Sequence, residues 1–276
     1  MPDSLSHTLA WINGNIKHLK DLNVSAEDAS LEHGLGLFES MRANQGHIPL
    51  FSKHLHRLKC SALELRLRLD AAKLPDPDEM RELLAKAGLA NDQARLRMVL
   101  TGGCAGEPGQ LWVSAHPLGD YPLNRLSLSS DFWPVDDRDE LVRYKTLNYW
   151  NRRRAFECAL SQNCHEMLSQ DTKGNIWEAS RSALFLVRNG QLIAPEANGP
   201  KLASIAADVV AEIASEVHIP IEYMRISSDE LALADEVILA NAVRGMMTVG
   251  QFRDRKYQAP GPISTSLRNH WQDRYF

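Results

Sequence analysis

The sequence has no long apolar run, few cysteines and no dominant charge, and each shortage removes a class of protein. No stretch approaches the roughly 20 apolar residues of a membrane-spanning helix, so no membrane partner is expected. The amino terminus, MPDSLSHTLAWINGN, has an acid where a secretory leader would carry basic residues, with no long apolar segment behind it. The cytoplasm is therefore the expected compartment. Four cysteines occur, Cys60, Cys104, Cys158 and Cys164, without a CxxC or a Cys/His cluster of metal-ligand spacing. They are expected as free thiols, and no metal is expected. Thirty-one Lys plus Arg stand against 35 Asp plus Glu, a net charge of -4 with the signs interleaved. Nucleic acid needs a local basic surface and is not an expected partner. The basic exceptions, RLRLD (66–70) and NRRRAF (151–156), read as solvated helix faces or ion pairs.

What remains is ordinary soluble composition, 44% apolar and 24% charged, on a chain of 276 residues. That length exceeds one typical domain. Two are expected, residues 1–120 and 121–276, with GDYPLN as the linker. LAWINGN (9–15) predicts a strand entering an Asn-Gly turn with IKHL returning. Residues 31–51 predict a loop, a strand at FESMRA, a turn at 44–46 and a second short strand. Leu55, Leu58, Ala62 and Leu65 form one apolar stripe of a helix over 52–68, and DPDEMRELLAKAGLA (76–90) predicts another helix ending near Gly88. QARLRMVLTGG and LWVSAHP predict a hairpin, joined by glycine-rich residues 102–109 as a mobile entrance loop. In the second half, a helix over 149–162, hairpin-like strands over 165–195, a helix over 204–217, a capped SDELALA helix and a buried strand at EVILANAV are expected. The last sixteen residues read as a turn and a short helix.

Period and composition stop at an α/β protein without named chemistry. Six segments occur in order: HGLGLFESMR, HLHRLKCSA, YKTLNYWN, GNIWEASRSALFLV, PKLASIA and EVILANAVRGMMTV. Together they resemble the fold-type IV, or class IV aminotransferase, family of pyridoxal 5'-phosphate (PLP) enzymes, which includes branched-chain and D-amino acid aminotransferases and aminodeoxychorismate lyase. The resemblance implies an α/β (α+β) fold with a smaller N-terminal α/β domain and a larger C-terminal domain holding a barrel-like sheet. It also implies PLP as cofactor, a small amino acid or amine as substrate, and a homodimer.

It further implies roles for residues. Lys145 matches the lysine whose amine bonds to the cofactor aldehyde and then moves a proton at the substrate Cα. Glu178 matches the acid that faces the pyridine nitrogen and keeps the ring electron-poor, with Ser180 beside it. Arg57 matches the arginine whose guanidinium forks onto the phosphate. His54 lies one turn away on the same helix face and reads as a supporting residue. Ile205 and Ala206 match the helix start that offers backbone N–H groups to phosphate. Tyr149 matches a pocket tyrosine, with an aromatic core role open beside it. Phe38, Arg42 and Arg97 are the substrate-side candidates. Alternation puts Arg95 and Arg97 on one strand face, where surface ion pairing stays open for both.

The sequence also departs from the family pattern. Ala183 stands where an asparagine is usual, Ser204 and Ala206 where glycine and threonine are usual, and Ala242 where a hydroxyl is usual. Each lost hydrogen bond costs on the order of 1 kcal/mol, less than a charged fork and a covalent bond supply. Amino transfer between an amino acid and a 2-oxo acid is the expected reaction. Lyase chemistry releasing pyruvate, which FESMR at 38–42 keeps open, and a PLP-binding homologue without turnover are the alternatives.

Overall fold

A computed structural model describes residues 8–275. The reading of the extreme amino terminus, residues 1–7, lies outside the described residues. The chain divides into two compact units, one formed by residues up to 120 together with 144–148, the other by residues 121–143 and 149 onward.

In the first unit β1 (Leu9–Ile12) and β2 (Asn15–His18) form the expected hairpin, followed by the short α1 (Ala29–Glu32). Then come β3 (Gly36–Asn44), α2 (Phe51–Glu64), α3 (Pro77–Lys86), β4 (Gln93–Thr101) and β5 (Leu111–Pro117). The strands make one antiparallel sheet of order β2-β1-β5-β4-β3. Its inward positions, among them Met41, Leu96, Met98, Leu100 and Val113, pack with Leu58 and Ala62 of α2 and Met80, Leu83 and Leu84 of α3. Period two on β4 meets period 3.6 on the helices, so each element buries one face. An Asp76/Glu79 capping box and Pro77 start α3, and Gly88 at φ 72° follows its end.

One expectation fails in this unit. The second short strand after the 44–46 turn is absent: a single Asn44–His47 bridge closes the turn, and Phe51 already opens α2. Pro49 lacks the N–H that a returning strand would donate. The glycine-rich segment 102–109 makes hydrogen bonds with the rest of the unit. Ala29 N–H donates to Gly103 O at 2.9 Å, Gly109 N–H to Arg68 O at 3.1 Å and Arg68 Nη1 to Gly106 O at 2.5 Å.

The second unit contains β6 (Leu126–Pro134), α4 (Trp150–Ser161), β7 (Glu166–Gln170), β8 (Ile176–Ala179), β9 (Ala183–Arg188) and β10 (Gln191–Pro195). After them follow α5 (Ile205–Glu216), β11 (Ile221–Met224), α6 (Ser228–Leu233), β12 (Glu236–Asn241), β13 (Gly245–Phe252), β14 (Arg255–Lys256) and α7 (Pro262–Tyr275). Strands β9, β12, β13, β6, β7 and β8 pair in that order, and β8 returns to β9, closing a six-stranded barrel. Strands β10 and β11 extend it beyond β9, and β14 pairs with β13. Leu128, Leu168, Leu184, Leu186, Leu239, Met247 and Val249 belong to its apolar core. α4 packs on β6 and β7, and α5 and α7 pack on each other and on β12. The fold is mixed α/β with a barrel-like sheet. The terminal helix is a full fourteen residues rather than short, because Leu267 and Trp271 give it a buried face. All four cysteines are free. Among the described residues no helix is long and apolar enough to cross a membrane, and no group of His, Cys, Asp and Glu is placed to hold a metal.

Candidate active site

Lys145 is held by its backbone. Phe38 N–H donates to Lys145 O at 2.9 Å, Leu147 N–H donates to Gly36 O at 3.0 Å, and Thr146 forms an antiparallel bridge with Leu37. Residues 145–147 thus lie along the edge of β3 that β4 leaves open. Gly36 permits this approach: its φ is 144°, and a Cβ there would stand 2.6 Å from Leu147 Cδ1 and 2.7 Å from Leu100 O. The half-buried Lys145 side chain puts Nζ 4.2 Å from the centroid of the buried Phe38 ring, and the Arg97 guanidinium lies 4.1 Å from the same centroid. The structure therefore brings Phe38, Arg97 and Lys145 together. Register pairs Ser40 with Arg97, Arg42 with Arg95 and Arg95 with His116. Paired residues share a face, so these three arginines and the imidazole lie on the side of the sheet that carries Phe38. Burial, with the charges of Arg95 and Arg97, pushes the His116 imidazole below its ordinary value.

The opposite face carries a buried charged triad. Glu39 accepts from Arg57 Nε at 2.7 Å and Arg57 Nη2 at 2.5 Å, while His54 Nδ1 lies 2.7 Å from Oε2. Since a carboxylate only accepts, His54 carries its proton on Nδ1. Burial pushes His54 below the ordinary histidine value against the pull of Glu39, and its buried Nε2 has no hydrogen-bond partner among the described residues. Burial raises the Glu39 carboxyl, but the Arg57 charge and the hydrogen bonds from His54 and Arg57 overcome it and bring the value to about 2. A depressed carboxyl stabilises the fold above the unfolded value near 4.5, and that stability is lost as pH falls toward about 2. We expect this group to contribute on the order of 3 kcal/mol at neutral pH. Urea unfolding followed from neutral to acid pH measures it, and Glu39→Gln should flatten the acid limb; an unchanged limb would contradict the assignment.

In the second unit Glu178 is buried on β8. Its Oε1 accepts from Arg152 Nη2 at 2.5 Å, and Leu202 N–H approaches both oxygens, at 3.2 and 3.3 Å. Its backbone is fixed too: Ser169 Oγ accepts from Glu178 N–H at 3.1 Å and donates to Glu178 O at 3.2 Å. The loop that delivers Leu202 passes over Trp177 so closely that a Cβ on Gly199 would stand 1.8 Å from Trp177 Cζ3. Ala203 N–H then donates to Arg143 O at 3.2 Å. Burial pushes the neighbouring Lys201 below the ordinary lysine value, opposed by the Glu178 charge. Tyr149 caps α4, with its ring centroid 5.6 Å from the Arg152 guanidinium.

Helix α5 begins with Ser204, whose Oγ accepts from Ala207 N–H at 3.2 Å. The serine that replaces the usual glycine thus serves as an N-cap. The buried Ile205 and Ala206 supply the first-turn amides that precede the one it caps. Ser180 is turned another way: its hydroxyl donates to the fully buried Glu166, which also receives Arg181 N–H at 3.2 Å. Burial raises the Glu166 carboxyl despite these donors. Ala183 stands opposite Glu178 in the β8–β9 register. Near Ala242, Asn241 Oδ1 accepts from Val243 N–H at 3.1 Å and Arg244 N–H at 2.8 Å.

PLP has an aldehyde that needs an amine, a pyridine nitrogen that needs an anionic acceptor, and a phosphate that needs donors. Groups of those three kinds are present: in the first unit the half-buried amine of Lys145 and the guanidinium of Arg57, and in the second the buried carboxylate of Glu178 and the α5 amides. Sequence reasoning missed Glu39 and Arg152. Glu39 lies inside FESMR, and its inward strand position was the available signal. Nothing in NRRRAF distinguishes Arg152 from Arg153 and Arg154, yet Arg152 is buried and the other two are exposed.

Residues 36–252 match the family model described as amino-transferase class IV. A putative branched-chain-amino-acid aminotransferase of Methanocaldococcus jannaschii is 28% identical over 278 residues, covering 95% of each chain. The branched-chain amino acid aminotransferase of Escherichia coli superposes with a TM-score of 0.85 at 22% identity, covering 97% of this chain and 94% of that one. The branched-chain aminotransferase of the thermophilic archaeon Thermoproteus uzoniensis, solved with norvaline, has a TM-score of 0.84 at 23% identity, covering 96% and 93%.

Proposed function

Because the chain belongs to the class IV amino-transferase family, whose model spans 36–252, we propose that Lys145 and Glu178 serve it as a PLP-dependent enzyme moving an amino group between an amino acid and a 2-oxo acid. The observation that carries this reading is the fixing of the Lys145 backbone along β3, which holds its amine at the Phe38 ring. When bound, PLP supplies an electron-accepting ring joined to a carbon that can exchange nitrogen. The protein's own groups do the rest. Lys145 Nζ would hold the cofactor and, once free, would take the substrate Cα proton and return it one position along. Glu178 presents a carboxylate to the ring nitrogen. Arg57, aligned by Glu39, and the amides of Ile205 and Ala206 hold the phosphate. Tyr149, beside Arg152, would complete the cofactor set, and Ser180, whose hydroxyl is spent on Glu166, would border it through its backbone. Phe38, Arg42 and Arg97 form the substrate side, with the guanidiniums meeting a carboxylate.

The three relatives above are named for branched-chain amino acids, so leucine, isoleucine and valine are the first substrates to test, in both D and L forms. The family resemblance carries with it a homodimer, and the cytoplasm is the compartment we propose for it. Purified protein with PLP should exchange amino groups reversibly between an amino acid and a 2-oxo acid. Pyruvate release without an amino acceptor would replace this reading with lyase chemistry, and a bound cofactor that no amine alters would replace it with a protein lacking turnover. Arg57→Lys keeps the charge and loses the forked pairing with Glu39 that aligns it, so its Kd for PLP should rise about tenfold; an unchanged Kd by fluorescence quenching would remove Arg57 from the phosphate.

A further inference from the structure

Of the three successive arginines in α4, Arg153 and Arg154 are exposed and Arg153 pairs with Glu157 at 2.5 Å, a solvated i,i+4 pair. Arg152 is different. Its side chain is 8% exposed and that of Glu178 5%, and they meet at 2.5 Å. Burying two charges is costly, and nothing in the packing of an α4 helix on β6 and β7 demands it. The guanidinium also donates to Val142 O at 3.2 Å and lies 5.5 Å from the Trp133 ring and 5.6 Å from the Tyr149 ring. It is therefore held from several sides and delivers one N–H to one oxygen. Because Arg152 and Leu202 N–H both reach Oε1 at 3.2 Å or less, while Oε2 has only the longer 3.3 Å approach from Leu202, the carboxylate is asymmetric.

We propose that Arg152 is a positioning residue for the cofactor-facing acid: it balances the buried charge of Glu178, occupies Oε1, and so turns Oε2 toward the pyridine nitrogen. This rests on the PLP reading given above. The other charged groups around the pair are Lys201, with Arg143 and Asp208 near it, and none of them donates a hydrogen bond to the carboxylate among the described contacts. A carboxylate deprived of Arg152 keeps a single amide donor in a buried setting, and it then competes with the ring nitrogen for a proton instead of leaving it there.

The test uses PLP labelled with 15N in its ring, bound to the purified full chain. The wild type should give the signal of a protonated ring nitrogen through neutral pH. Arg152→Met should bind PLP about tenfold more weakly, the scale of one charge-assisted hydrogen bond, and shift the nitrogen signal toward the unprotonated ring. Arg152→Lys, which keeps a charge and one donor, should restore the wild-type signal. A folded Arg152→Met with wild-type signal and affinity would overturn the proposal. Should Arg152→Met not fold, Arg152→Gln carries the same test, since it keeps a donor without charge, and a wild-type signal there would overturn it equally. Failure of the wild type to hold PLP on Lys145 would instead defeat the PLP reading itself.

Discussion

Lys145→Ala should fold normally and transfer amino groups more slowly by about a thousandfold or more, the combined loss of a nucleophile and a proton carrier. The fold survives because the Lys145 backbone is fixed through its carbonyl and the Leu147 N–H. Among its side-chain contacts is the one over Phe38 at 4.2 Å, and a cation–π contact of this kind contributes about 1 kcal/mol at most when half-exposed. Thermal unfolding should therefore move little while turnover collapses. Borohydride reduction with PLP followed by peptide mapping gives the independent readout: the modified peptide should contain Lys145 in the wild type and disappear in the variant. Label on another lysine with activity retained would show that the amine lies elsewhere, and Lys201, whose value burial lowers, is the competitor to watch.

The second large effect belongs to Glu178. Glu178→Gln keeps the shape of the side chain and the approach of Leu202 N–H, but leaves Arg152 as a buried cation without its counter-charge. Breaking one half of a buried pair costs on the order of 3–5 kcal/mol. Turnover should fall by about a hundredfold or more, because electrostatic support for the charge that develops in the ring is lost. The loss should appear in kcat, measured well below the variant's melting point, more than in KM. A double variant, Glu178→Gln with Arg152→Met, removes both charges and should recover much of the stability without recovering turnover. Recovery of both would mean that the pair is structural only.

The elements most legible in the sequence are those whose local period matches one buried face. The β1–β2 hairpin, α2, the β4–β5 hairpin and α5 are of this kind, each with turn or cap chemistry at its ends. The missing return strand after Asn44 had a local signal in Pro49, whereas the bonds of the 102–109 segment were illegible because they run to residues elsewhere in the chain, such as Arg68 to Gly106. The closure of the barrel was equally hidden from local pattern. It hangs on the single Glu178–Ala183 register pair that joins β8 to β9, and a strand's partners are not written in its own alternation.

By itself the sequence determined the family, and its short motifs with ordered spacing pointed to the lysine at 145, the acid at 178 and the helix start at 205. Tertiary structure decided which charges are buried. Three adjacent arginines are equivalent as letters, but one turn of helix puts Arg152 under cover against Glu178 and leaves its neighbours in water. In the same way Glu39 became the counter-charge of Arg57 only when the inward face of β3 met α2. Electrostatic strength follows from desolvation, and desolvation is a property of packed neighbours rather than of any single segment.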